Sequence, residues 1–273
     1  MQRGALLLPV WGFEIAPAFT YGHTSEDTVA AVPGADAAAP PTTVAVRRRL
    51  HQMTGSLTAR LGLPLDFQIE GSMPATFVQS NVTLAGTTST DASRYGFGDP
   101  RFSLTWQMIH AGSVAPDIFL AANWKPRFGS SPYDAKAGDI GLGTGYDAVG
   151  GTVTAVKSAD PLVLLASASY TANFGVATEQ GWRKPSNVFG WGGGAILAVS
   201  PDTSLSFLLD FHYKPDDTLD GKAIVGSDET AAVLQLGLGR VLSRRVLLNV
   251  TAAIGLTADS PNFQLGVSIP VRF

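Results

Sequence analysis

The chain has 273 residues, of which 15% are charged, with 30 Gly, no Cys and a formal net charge of -3. This composition excludes disulfide scaffolds, thiol nucleophiles and thiolate metal sites, and it argues against a nucleic-acid partner, which needs a basic surface. No run of about eighteen apolar residues occurs, which excludes a membrane-spanning helix, while a mean hydropathy of +0.16 suits strands that are apolar on one face only.

Residues 1–10 lack a full apolar segment and a cleavage site, so they are not a signal peptide. They are expected to be a short periplasmic lead-in to one domain spanning 1–273, in a mature or truncated form of the chain. From Trp11 onward, alternation sets in. Trp11, Phe13, Ile15, Phe19 and Tyr21 alternate with Gly12, Glu14, Ala16 and Thr20. Successive side chains on a strand point to opposite faces, so such a segment has one oily and one polar face. The same pattern recurs around Phe67 to Phe77, Phe102 to Met108, Ile118 to Trp124, Leu205 to Tyr213 and Val246 to Leu256, and it closes the chain from Asn262 to Phe273.

Counting these segments predicts strands at 11–24, 42–61, 65–79, 95–110, 117–129, 145–156, 162–174, 188–199, 204–213, 228–241, 245–257 and 262–273. Small residues blur the phase at 42–61, 145–156, 188–199 and 228–241. The connections alternate in kind. Short ones lie at 62–64, 111–116, 157–161, 200–203 and 242–244. Longer polar ones lie at 25–41, 80–94, 130–144, 175–187 and 214–227, with a short sixth at 258–261.

Tight turns on one side and long loops on the other are the asymmetry of a bacterial outer-membrane barrel, and an even strand number returns both termini to the periplasm. Closure matters because an open sheet edge would leave N–H and C=O groups unpaired in lipid. A soluble sandwich would instead bury its oily face between two sheets. The expected fold is therefore all-β: a closed antiparallel transmembrane barrel of about twelve strands. Trp11, Tyr21, Tyr95, Trp124, Tyr170, Trp191, Tyr213 and Phe273 fall near strand ends, where aromatic girdles sit.

Several stretches resemble one family. Arg3-Gly4-Ala5-Leu6 leading into Glu14 to Tyr21 is similar to the opening barrel strand of the outer-membrane family named for the meta-pathway of phenol degradation. So are Leu57 to Gly62 followed by Phe67 to Glu70, and Gly96-Phe97-Gly98-Asp99-Pro100. Gly143-Thr144-Gly145, Ser158-Ala159-Asp160-Pro161 and Gly255 to Leu265 also look like it. The resemblance spans nearly the whole chain and implies a twelve-stranded channel or transporter with no catalytic motif. It extends to the related barrels that secrete amyloid subunits, whose periplasmic extension acts as a plug, and it implies a homotrimer as one mode of assembly. The present chain departs from those barrels by starting close to its first strand.

No residue set points to catalysis. His23, His51, His110 and His212 are too scattered for a metal site, and Gly192-Gly193-Gly194 lacks the Lys and following helix of a phosphate loop. It is read as a place where a strand bends or something approaches closely. His23-Thr24-Ser25 invites comparison with outer-membrane phospholipases but lacks a positioned base and orienting group. An outer-membrane lipid-modifying enzyme and a purely structural barrel are the alternatives. No cofactor is implied.

The candidate functional residues are the inward charges. By strand parity Glu14, Arg60, Glu70, Arg101, Asp117, Lys125, Asp210 and Arg272 point to the lumen, because a charge on the lipid face costs about 2–4 kcal/mol near the midplane. They could form a mixed-sign selectivity ladder or simply solvate a wet interior with internal ion pairs. Arg47-Arg48-Arg49 falls at the external end of the second strand, where lipopolysaccharide phosphates are one partner and water the other. The expected function is passive transport of either hydrophobic or aromatic small molecules or a secreted amyloid-type polypeptide. The expected partners are outer-membrane lipid, lipopolysaccharide and the transported species.

Overall fold

In the computed structural model, residues 7–32, 42–84, 88–112, 115–133 and 140–273 are described. Arg3 to Leu6 of the opening motif, the tips of the first three long loops at 33–41, 85–87 and 134–139, and positions 113–114 lie outside the described residues.

Eighteen strand segments follow in chain order. β1 (Phe13–Val32), β2 (Thr42–Leu63), β3 (Phe67–Leu84), β4 (Thr88–Phe97), β5 (Arg101–Ile109) and β6 (Asp117–Lys125) precede the third long loop. β7 (Ala148–Ala159), β8 (Leu162–Asn173), β9 (Val176–Thr178), β10 (Gly181–Lys184), β11 (Val188–Ser200) and β12 (Thr203–Lys214) come next. β13 (Thr218–Leu219), β14 (Lys222–Ala223), β15 (Glu229–Val241), β16 (Leu247–Gly255), β17 (Phe263–Ser268) and β18 (Val271–Arg272) complete the set.

Fourteen segments form one sheet, and β1 pairs antiparallel with β2 on one side and with β17 and β18 on the other, which closes it. β4 with β5, and β17 with β18, are each one stave with a break, so the barrel has twelve staves. Prolines account for both breaks because they have no N–H to give the ladder. Pro100 is the last residue of the first gap, and Pro74 stands on β3 opposite it, between the pairs Ala75↔Phe97 and Ser72↔Arg101. Pro270 sits in the second.

The outward face is apolar. Phe19, Leu57, Leu164, Phe207 and Leu265 are each at least half exposed, an area that would cost roughly 25 cal/mol per Å² in water and costs nothing in lipid. Trp11, Tyr95, Trp124, Tyr170, Trp191, Tyr213 and Phe273 are exposed on this surface as the girdle pattern predicts. The interior carries the polar and charged side chains together with a buried apolar cluster of Leu7, Phe119 and Val156, against which Val163 and Leu165 pack.

Four strand boundaries and two loops differ from the sequence reading. Residues 25–32, 80–84 and 88–94 continue β1, β3 and β4 instead of forming loops. Apolar alternation stops there because the strands have left the lipid, but backbone pairing needs no apolar side chain. β6 ends at Lys125 rather than residue 129, because Pro126 follows. Finally, the loops at 175–187 and 214–227 carry strands: β9, β10, β13 and β14 form a separate four-stranded sheet.

Candidate functional site

The lumen is the site, and its side chains come from two sources: facing staves and loops that turn inward. At the periplasmic end, register builds a row of charge. Glu14 lies opposite Arg60 and Arg272, and Arg60 lies opposite Glu70. Arg60 Nη1 donates to Glu14 Oε1 at 2.9 Å, Arg60 Nε to Glu70 Oε2 at 2.5 Å, and Arg272 Nε to Glu14 Oε2 at 2.8 Å. The row Arg272–Glu14–Arg60–Glu70 thus alternates in sign and spans the seam between the first and last staves. The Glu14 side chain is only 3% exposed, which is tolerable because each of its oxygens carries a charged partner.

The opposite wall at this depth is apolar. Phe119, Val156 and Leu165 face inward, and Leu7 covers them. The described part of the N-terminal lead-in therefore tucks into the barrel end. Trp11 N–H donates to Gly62 O and Gly12 N–H to Pro9 O, while Leu8 N–H donates to the Gln68 side chain at 2.9 Å. A Cβ on Gly62 would lie 2.2 Å from Pro9 O, so only glycine lets the segment cross there. Charge row, Leu7 and Phe119 enclose a cavity of about 370 Å³.

Midway up, the described parts of the loop after β6, residues 126–133 and 140–147, enter the lumen. Asp99, in the gap between β4 and β5, gathers both legs of it. Its Oδ1 accepts from Phe128 N–H at 3.0 Å and Gly129 N–H at 2.8 Å; its Oδ2 accepts from Thr144 N–H at 2.7 Å and Thr144 Oγ1 at 2.8 Å. Where the ladder is interrupted, one carboxylate takes over the role of the missing carbonyls. The contact is close: a Cβ on Gly129 would meet Gly143 Cα at 2.8 Å and Gly98 Cα at 3.1 Å. Lys125 lies 3.9 Å from Asp99 Oδ2, contacts Thr144 Oγ1, and places its ammonium 4.1 Å from the centre of the Tyr146 ring. Burial pushes the Tyr146 phenol up to about 12, so that ring stays neutral.

Arg101 stands beside this clasp and lines two cavities, of about 420 Å³ toward the outside and about 530 Å³ below it. Glu70 lines both the middle cavity and the floor cavity. Above the loop, Asp217 ties the small sheet together, accepting from Arg183 Nη2 at 2.9 Å with Lys214 at 3.6 Å, and the Arg183 guanidinium lies 5.0 Å from the centre of the Tyr133 ring.

The structure thus brings together Glu14, Arg60, Glu70 and Arg272 at one level and Arg101 and Lys125 at another. Asp117 stays at the rim, where it accepts from Gln107 Nε2 and Ala111 N–H and fastens a periplasmic turn. Asp210 leans across the neighbouring stave, its Oδ1 occupying the place a Cβ on Gly192 would need. The Gly192 to Gly194 run accommodates this close approach. Of the sequence-derived phospholipase comparison, His23 is found in tilted ring contact with His51 and Phe263, and the Ser25 backbone N–H donates to Asn262.

Asp99, Thr144, Leu7 and Phe119 escaped the inward-charge criterion. Asp99 and Thr144 sit outside any strand, and Phe119 breaks the rule that aromatic residues face lipid. A signal is present in the sequence: Gly96 to Pro100 and Gly143 to Gly145 are both family-like stretches, and they meet in space.

No family model matches the chain. Among solved structures it is similar to an outer membrane channel from Pseudomonas putida F1, at 15% identity and a TM-score of 0.75, covering 97% of each chain. It also resembles the translocator domain of the autotransporter NalP from Neisseria meningitidis, at 10% identity and a TM-score of 0.54, over 100% of this chain and 90% of that one. The transport unit of the autotransporter AIDA-I from Escherichia coli matches at 10% identity and 0.51, over 100% and 91%. The protein is a bacterial outer-membrane β-barrel. Its closed ladder, apolar outer band and polar lumen call for a lipid bilayer independently of the likeness.

Proposed function

We propose that this barrel is a passive channel for small organic solutes that combine an apolar or aromatic body with a polar or anionic group. The observation that supports this reading is the chain of three cavities joined through Arg101 and Glu70. Each has the volume of a small-molecule site rather than that of a continuous bore. Among the described residues Arg101 has no hydrogen-bond or ion-pair partner, whereas Lys125 has Asp99. At this level Arg101 is thus a guanidinium lining the passage with no direct partner among the described residues, which favours anions by focusing the field in a low-dielectric passage. Below it, Leu7 and Phe119 offer an apolar surface facing the charge row, which suits a solute with two kinds of face. The resemblance to the phenol-degradation family agrees with aromatic cargo. An exported polypeptide would need the inward loop and the N-terminal segment both displaced.

The test is planar-bilayer recording with potassium benzoate against potassium chloride. Arg101→Gln should shift the reversal potential toward cation preference and slow benzoate entry into liposomes. Unchanged selectivity in that variant would remove Arg101 from the pathway. A parent that stays closed, together with closed variants lacking residues 130–143 or 1–9, would argue against any channel.

A further inference from the structure

The outward faces of β1 to β4 change character along one sharp line. Register sets Tyr21, Met53, Phe77 and Tyr95 side by side in one row. Below this row come Phe19, Gly55, Ala75 and Phe97. Directly above it stand His23, His51, Gln79 and Ser93, and then Ser25, Arg49, Asn81 and Asp91. A continuous apolar surface is thus capped by two rows of imidazole, guanidinium and amide groups. On a transmembrane barrel such a boundary marks where acyl chains give way to headgroups.

The groups above the line form a concave patch. Tyr21, Arg49, His51, Met53, Gln79 and Asn81 line a depression of about 340 Å³. Tyr21 Oη and His51 Nδ1 are 2.8 Å apart, which fixes the imidazole with its other nitrogen facing away. The His23 ring centre lies 4.6 Å from that of His51, and His23 Nδ1 is buried with no hydrogen-bond partner. Arg49 is exposed and, among the described residues, unpaired. Asp91 is the facing carboxylate, and it is already engaged by the Asn81 amide. Among the described residues the patch therefore presents Arg49, imidazole and amide N–H donors with no free carboxylate facing them.

We infer that this patch binds the phosphate of an outer-leaflet glycolipid, the lipid A portion of lipopolysaccharide. The acyl chains would lie on Phe19, Met53, Phe77 and Tyr95, and the phosphate oxygens would accept from Arg49 and the His51 imidazole. A guanidinium with adjacent donors matches a phosphate better than water does, because such charge-assisted bonds are short and directional. The amphiphilic layout favours a lipid phosphate over a free one: the cations end where the apolar surface begins. Arg48, the middle member of the basic triplet, is on the lumen face by alternation and takes no part.

Native mass spectrometry of the full chain in dodecylmaltoside tests this, using bisphosphorylated lipid A, the same lipid with its phosphates removed, and inorganic phosphate as competitor. The parent should prefer the phosphorylated lipid by about tenfold or more, the size of one good charge-assisted contact. Arg49→Gln with His51→Gln should abolish that preference, and Arg49→Gln alone, which touches no pairing in the ladder, should weaken it. Arg48→Gln should leave it intact. No phosphate preference in the parent, or equal loss in Arg48→Gln, would overturn the assignment. Displacement of the lipid by millimolar inorganic phosphate would also overturn it, by making the patch a free-anion site.

Discussion

The charge row at the floor and the clasp at the middle of the lumen both use carboxylates to hold a narrow place closed, but they are built in different ways. Glu14, Arg60, Glu70 and Arg272 meet because adjacent staves carry them in one row, so the backbone ladder positions every member. Asp99 meets Phe128, Gly129 and Thr144 only because a loop of 22 residues, 126–147, returns to a gap in the wall. Breaking the row should therefore damage the barrel, whereas breaking the clasp should free a loop.

The largest effect on stability is expected from Glu14→Ala. It leaves Arg60 with Glu70 alone and takes from Arg272 its carboxylate at the closing seam; two charge-assisted hydrogen bonds to partly exposed guanidiniums are lost, at a cost of about 2–4 kcal/mol. Urea unfolding in lipid vesicles measures this. A loss below about 0.5 kcal/mol, the range of ordinary surface changes, would mean the row is merely solvated charge.

Asp99→Ala should come next, at about 1–3 kcal/mol for the unsatisfied donors it leaves. Its distinctive result is a larger and noisier single-channel conductance, because both legs of the loop lose their anchor. Lost stability with unchanged conductance would make Asp99 a wall element and erase the contrast with Glu14.

Gly143→Val sharpens the same point by shape alone. A Cβ there would lie 2.6 Å from Asp99 Oδ1 and 2.8 Å from Gly129 Cα. The loop should be displaced with no change of charge, so conductance should rise while ion selectivity follows the parent. A variant with the parent's conductance would show that the close contact is not what holds the loop.

The smallest stability effect should be that of Arg101→Gln, within about 0.5 kcal/mol, since the group has no partner among the described residues. It stands next to the clasp yet belongs to neither device. Destabilisation comparable to Glu14→Ala would show that Arg101 is part of the structure rather than of the passage.

Parity made much of this legible from the amino-acid order. A period of two assigns each strand residue to lipid or lumen, so Glu14, Arg60, Glu70, Arg101, Lys125 and Arg272 could be placed inside before any coordinates. The last strand, from Phe263 to Arg272, could be matched to the first because both have one oily face. Closure, stave number and the apolar band follow from that period together with the demand that lipid imposes on backbone polar groups. Tertiary structure alone decided which rows align, because register depends on both partners of every pair. It also decided where Leu7 goes, since an apolar side chain before the first strand has no periodic neighbour to assign it a face. Asp99 is the sharpest case. Its neighbours in sequence are Gly98 and Pro100, and its hydrogen-bond donors lie 29 to 45 residues away, in a loop whose inward fold is set by contacts and not by any repeat along the chain.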